Sequence, residues 1–454
     1  MTNPLPSLPA HSLLIFLVQI ALLLLVALLL GRLAVKCKLP ALVGELLTGV
    51  ILGPSLVGNL APGAMQWVFP NDAGQLHLVD AVGQVGVLLL VGVTGAQLDT
   101  AMIRRRGLTG LKVSLSGLLL PLALGLAAGF VVPAALLTGR TDRWVFALFL
   151  GVAMCVTAIP VIAKTLADMN LLHRDIGQLT LAAGSFDDAI GWFLLSVVAA
   201  AATTGVSGGS VVLSVAYLLG FLAAALVVGR PLVKYAMQLA ARSSEGGVRM
   251  TVAVVLILGG AAATQAMGME ALFGAFIAGI LIGRTRERPG ELDARPGRPL
   301  WTDLAPLRTV VLSVLAPVFL ATAGLRIDMT ALGDPKVLVA GVSLLAIAII
   351  GKFVGAYAGG RGSRLSHWES IALGAGMNSR GVVEVVVATT GLRLGVLSIA
   401  TYTVVVLIAV VTSVMGPPIL RAAMSRVEYT RAERERAEAL AAAPQPAPAP
   451  ADLH

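Results

Sequence analysis

Apolar stretches recur along this chain from Ser12 to Leu420, broken by short connections rich in arginine, glycine and proline. A helix rises 1.5 Å per residue, so about 20 apolar residues cross a hydrocarbon core roughly 30 Å thick. On that measure thirteen segments read as spans: 12–34, 41–58, 79–98, 108–133, 144–167, 176–202, 210–229, 250–267, 271–284, 309–325, 337–358, 369–390 and 396–420. No small-residue cleavage site follows the first run, so it is expected to remain as a span. The pattern predicts an all-α polytopic membrane protein of about 13 transmembrane helices, residues 1–420, followed by a charged and then Ala/Pro-rich tail, 421–454, expected to be disordered.

Composition agrees: of 454 residues, 57% are hydrophobic and 13% charged, with a mean hydropathy of +0.90. The formal charge of +9 suggests no nucleic-acid partner, because the basic residues fall in short connections rather than one block. Alternate connections carry 21 Lys and Arg on one side of the membrane and five on the other, and the tail adds five to the richer side. Cytoplasmic loops hold the basic excess, so the N-terminus is expected outside and the C-terminus in the cytoplasm. Cys37 and Cys155 lie in unlike environments and predict no disulfide. There is no phosphate-binding Gly-rich loop for an ATP-driven pump, and no histidine deep in a span to hold zinc, so neither an enzymatic activity nor a cofactor is expected.

Six ionisable residues read as belonging to the membrane interior: Glu45, Asp187, Asp188, Lys352, Arg380 and Glu384. Such groups are costly in hydrocarbon and mark pairs or ion pathways. Asp187 and Asp188, in GSFDDAIGW, are successive on a helix and point about 100° apart, so one can meet a buried cation while its neighbour faces a cavity. Lys352, in GKFVGA, is the natural fixed partner. Thr157, Ser185, Asn378 and Ser379 supply neutral oxygens suited to a small hard cation. Burial, an acidic neighbour and a nearby ammonium pull a carboxylate's proton affinity in opposing directions, and a group so balanced holds either a proton or a cation.

ALVGELLTGVILG from Ala41 reads against ALFGAFIAGILIG from Ala271, sharing three aligned glycines. The two segments are seven places apart in the order of spans, an odd number, so the copies run in opposite directions, as in inverted-topology transporters. Span 5 should then match span 12. Span 5 contains Pro160, which lacks an amide proton, and span 12 contains Gly376, Asn378, Ser379 and Gly381, weak helix formers; two interrupted helices are predicted.

CVTAIPVIAKTLADMNLL, the aspartate pair, GKFVGA and GMNSRGVVEVVV together resemble the monovalent cation:proton antiporter-2 family, Na+/H+ exchanger-domain proteins with the bacterial sodium/proton antiporter fold. The TAxPVxAxxL and MNxxGxVExxV stretches are similar to the plant cation/H+ exchanger branch. The resemblance implies that Asp188 is the ion and proton carrier, that Asp187 is the adjacent position held by Asn in many relatives, and that Lys352 is salt-bridged to it. It places Thr157, Pro160 and Asn378 to Arg380 on two crossing, unwound helices and Glu384 on the following half. It further implies a dimerisation panel and a mobile core containing the spans around 144–202 and 337–390, in a homodimer within membrane lipid. The expected function is exchange of Na+ or K+ for H+ across the cytoplasmic membrane. A carrier of an organic ion on the same fold is the alternative, as is a potassium efflux system, although the nucleotide-binding domain of glutathione-gated efflux relatives is not seen. The second aspartate favours exchange of two protons per cation, and therefore an electrogenic cycle. His173 and His367 fall on the cytoplasmic side and read as ordinary loop residues before pH sensors.

Overall fold

The computed structural model describes residues 8–434 except 38, 71, 98–99, 140, 205–207, 244–245, 286–300 and 432, and all regular structure among them is helical. Each expected span has its helix. These are α1 (Ala10–Lys36), α2 (Ala41–Leu52), α3 (Ala73–Ala96), α4 (Thr100–Val131), α5a (Arg143–Cys155) with α5b (Ile159–Asp168), and α6 (Asp175–Thr204). The first piece of α7 is Gly208–Ala224, continued through a π turn into Arg230–Ala241; then follow α8 (Gly246–Ala266) and α9 (Ala271–Arg284). Two pieces, Trp301–Val310 and Ala316–Leu325, joined by a second π turn, make α10. The last three are α11 (Pro335–Gly362), α12a (His367–Met377) with α12b (Val382–Arg393), and α13 (Ile399–Met424).

By length and apolarity ten helices among the described residues can cross a membrane, and α12a with α12b makes an eleventh span bent by 45°. The expected count of thirteen exceeds this because α5 is cut by its break and α9 has only 14 residues. Both π turns, Ala225–Gly229 and Val311–Leu315, sit just before a proline, Pro231 and Pro317. A missing amide there removes one rung of the ladder and the helix re-registers instead of ending. This is why α7 runs on to Ala241, beyond the expected boundary at 229, with basic side chains on stems that suit a membrane edge.

The glycine repeat has a structural meaning. A Cβ on Gly44 would lie 2.2 Å from the Leu30 carbonyl oxygen of α1, and one on Gly274 would lie 2.0 Å from that of Gly260 in α8. Likewise a Cβ on Gly49 would stand 2.0 Å from the Ala321 oxygen of α10, and one on Gly279 would stand 2.0 Å from the Gly92 oxygen of α3. So α2 wedges between α1 and α10, and α9 between α8 and α3: the partners swap as two inverted copies require. Backbone contact through small residues is how membrane helices gain packing where lipid is as apolar as leucine.

Helices α4, α5, α6, α11, α12 and α13 pack chiefly on one another, and α1, α2, α3, α8, α9 and α10 form a second group, with α6 and α12b facing α9 and α10 across the boundary. Past Leu420 the disorder expected from 421 does not begin at once. Residues 421–424 complete α13, and Glu433 reaches the α5b–α6 turn, where it pairs with Arg174 at 3.1 Å and accepts the Asp175 amide at 2.7 Å. The rest of the expected tail, 435–454, lies outside the described residues.

Candidate ion-exchange site

Two helix breaks meet at the centre of the first group. After Cys155 the chain turns extended at Val156, stays non-helical through Ala158, and re-enters a helix with Pro160 in the first turn, where an amide has no intrahelical partner to lose. The second break covers 378–381. At Gly381 a Cβ would lie 2.4 Å from Val161 Cγ2 and 3.5 Å from the Ala158 Cβ. Any side chain there would have to displace the Val161 side chain.

A broken helix exposes unpaired carbonyls at the end of its first half, where the helix dipole is negative. Two buried cations serve that end of α5a. Arg380 donates to the carbonyls of Ala153 at 3.0 Å and Met154 at 2.5 Å, and Lys352 Nζ donates to that of Cys155 at 2.6 Å. Arg380 is itself balanced by Glu384, 2.8 Å away in the first turn of α12b, where a carboxylate suits the positive helix end. Ser413 of α13 donates to the Arg380 carbonyl, fixing the second break from behind.

Lys352 also pairs with Asp187, and both are wholly buried. Ser114 Oγ donates to Asp187 at 2.5 Å and Thr157 Oγ1 at 2.7 Å. The lysine reaches this point because α4 and α11 pack backbone to backbone: a Cβ on Gly355 would stand 2.4 Å from the Ser116 carbonyl oxygen. Asp187 therefore has three donors from three helices and breaks.

Asp188 is 1% exposed and makes no ion pair and no side-chain hydrogen bond with a described residue; the Ile159 backbone amide at the start of α5b lies against it. It faces a small cavity between α6 (with Trp192), α3 (Leu90, Val91, Thr94) and α12b (Val382, Val383, Val386). One carboxylate is tied down and its neighbour is left open to the boundary between the two helix groups.

The other residues named from the sequence fall in two sets. Thr157 joins Asp187 rather than Asp188. Ser185 donates back to Leu181 at 2.8 Å and does not line the cavity. Asn378 and Ser379 are buried at the second break, with Asn378 Oδ1 and Ser379 Oγ unbonded, but they too lie away from the cavity wall. Glu45 sits apart on α2, its Cγ against Gly31, with Lys164 as the charge acting on it. His173 bonds Tyr429 at 2.8 Å and His367 bonds Tyr357 at 2.9 Å. Ser114, which bonds Asp187 across helices, was missed from the sequence. A lone hydroxyl in a span ordinarily satisfies itself on its own helix, and nothing in the pattern tells which ones do not.

Interrupted helices crossing beside buried carboxylates define the class of inverted-repeat secondary transporters. The fold has solved counterparts: the sodium proton antiporter MjNhaP1 from Methanocaldococcus jannaschii superimposes with a TM-score of 0.65 at 16% identity, covering 91% of this chain and 97% of that one. The profile described as "Sodium/hydrogen exchanger, transmembrane" matches residues 20–426, and the chain belongs to that family of monovalent cation:proton antiporters, bearing out the resemblance drawn from its motifs. It is 29% identical to the Na(+)/H(+) antiporter NhaS4 of Synechocystis sp. over 90% of its own length and 97% of the relative's. It is 30% identical to Cation/H(+) antiporter 19 of Arabidopsis thaliana over 84% of its length, but spans only 46% of that longer protein.

Proposed function

We propose that the protein exchanges a monovalent cation, Na+ or K+, for protons across the cytoplasmic membrane, with Asp188 carrying each in turn. The observation that carries this is the charge balance of the core. Lys352 offsets Asp187 and Arg380 offsets Glu384, so among the described residues of this core Asp188 is the buried carboxylate with no ion partner. A single proton or a single monovalent cation neutralises it. The bare carboxylate costs a few kcal/mol to carry through a low-dielectric barrier, so the core crosses loaded and seldom empty. That difference is what couples one flux to the other.

The packing supports a division of labour in which α4–α6 with α11–α13 form a moving core and the other group a panel. Orientation with the N-terminus outside, residence in the plasma membrane and a homodimer assembled in lipid complete the proposal; the charge asymmetry of the loops supports the orientation. The direct test is dissipation of a pH gradient in inverted vesicles on adding sodium, potassium or lithium chloride in turn. Recovery of the gradient signal with at least one alkali cation is expected, and none in vesicles carrying Asp188→Asn. Equal responses from the two preparations would refute the assignment.

A further inference from the structure

A cation entering the Asp188 cavity must exchange part of its water shell for oxygens of the protein. The walls offer few. Five of the eight lining side chains are leucine or valine, and the Trp192 indole is a donor only, unable to ligate a cation. Two side chains carry oxygen: Asp188 on α6 and Thr94 on α3. Thr94 is 7% exposed, and its hydroxyl donates to the Leu90 carbonyl of its own helix at 2.9 Å. With the hydrogen committed to that carbonyl, the lone pairs remain for another partner, the state a hydroxyl needs in order to ligate a metal ion.

We propose that Thr94 is a second side-chain ligand of the transported cation, a role that rests on the exchange assigned to Asp188 above. Thr94 and Asp188 belong to different packing groups, so a cation held by both ties the core to the panel. A proton on Asp188 makes no such tie, because it needs one acceptor and not a shell. Thr94 thereby acts on cation affinity and on the choice among cations, and leaves the proton half of the cycle unchanged. Because the core moves against the panel, this ligand is present on one side of the membrane only, and the affinities measured from the two sides differ by its contribution.

The test compares Thr94→Val, which keeps shape and loses the oxygen, with Thr94→Ser, which keeps the oxygen. In proteoliposomes, Thr94→Val is expected to raise the apparent KM for Na+ about tenfold on one face, the effect of losing one well-placed oxygen. Turnover and its pH profile, both at saturating Na+, should stay close to those of the unmodified protein, and Thr94→Ser should restore the KM. An unchanged KM on both faces in Thr94→Val would overturn the proposal, as would a fall in turnover at unchanged KM in both variants, the mark of a packing role. Should Thr94→Val be too unstable for transport, the Na+-induced rise in melting temperature of purified Thr94→Ala and Thr94→Ser decides: a rise retained only with Ser supports ligation, and equal rises refute it. Loss of all Asp188-dependent exchange in the unmodified protein would instead remove the exchange assignment itself.

Discussion

Asp187 and Asp188 are neighbours on one helix, chemically identical and equally buried, yet their surroundings are opposite. Asp187 accepts from Lys352, Ser114 and Thr157, while Asp188 has no side-chain partner among the described residues and looks into a cavity. The 100° step of the helix is enough to aim one at the core's interior and its neighbour at the boundary. A carboxylate that has its donors is a structural anchor, and one that lacks them is available to a mobile ion.

The largest effect that tests this contrast is on transport. Asp188→Asn keeps size and removes the exchangeable charge, so exchange should fall to background while the melting temperature holds. Asp187→Asn should instead cost stability and retain some exchange. If the two variants behave alike in both assays, the division of roles is wrong.

Next is the anchor itself. Lys352→Ala strands a buried carboxylate and opens the carbonyl of Cys155, and should destabilise by about 3–5 kcal/mol. The double variant Lys352→Met with Asp187→Leu should recover much of that, since a buried pair replaced by apolar groups of similar size is often neutral. Thermal unfolding in detergent measures both; a double variant no better than the single would show that Asp187 and Lys352 do not act as a pair.

A third measurement asks whether the anchor opens during the cycle. Two protons per cation would require Asp187 or Lys352 to take the second, making exchange electrogenic, with a unit charge worth about 2.3 kcal/mol per 100 mV. Potassium and valinomycin set the voltage and sodium is the substrate. The sodium gradient at equilibrium should follow voltage in the unmodified protein and ignore it in Asp187→Asn. Insensitivity in the unmodified protein would mean that Asp187 stays with Lys352 throughout.

Smaller still, Ser114→Ala and Thr157→Val each remove one donor from Asp187 and should cost roughly 1–2 kcal/mol. Ser185→Ala should cost less, because that hydroxyl serves only its own helix. The smallest effect concerns a paired carboxylate outside the spans. Burial works to raise the Glu433 carboxyl, but hydrogen bonds from the Asp175 and Thr430 amides and the Arg174 pair outweigh it and hold it below its usual 4.5. A depressed folded value adds stability that is present above the unfolded value and lost as pH falls through the folded one. Proteolysis of the segment after Met424 should therefore accelerate only in acid, below about pH 4.5, and Glu433→Gln should remove that dependence.

Much of this was legible before any coordinates. The thirteen apolar segments each became helix because hydropathy over about 20 residues reports directly on what a bilayer accepts. Pro160 and the Asn378 to Gly381 stretch marked both breaks, since a missing amide and weak helix formers act locally. The shared glycines foretold the inverted pair because close backbone approach leaves no room for a Cβ. What local signals do not contain is which side chain meets which across the fold. Lys352 and Asp187 are 165 residues apart, and Ser114 is 73 from Asp187. Thr94 was indistinguishable in sequence from other span hydroxyls, and Ser185, three residues before Asp188, looked the better ligand. The sequence by itself determined where the apolar helices lie, where two of them break and that Asp187, Asp188, Lys352, Arg380 and Glu384 sit in the membrane interior, for these depend on the character of consecutive residues. Only the tertiary structure decided that Asp187 has an ion partner and Asp188 has none, because that depends on how α3, α4, α11 and α12b pack around one helix face, and packing joins residues that the chain keeps far apart.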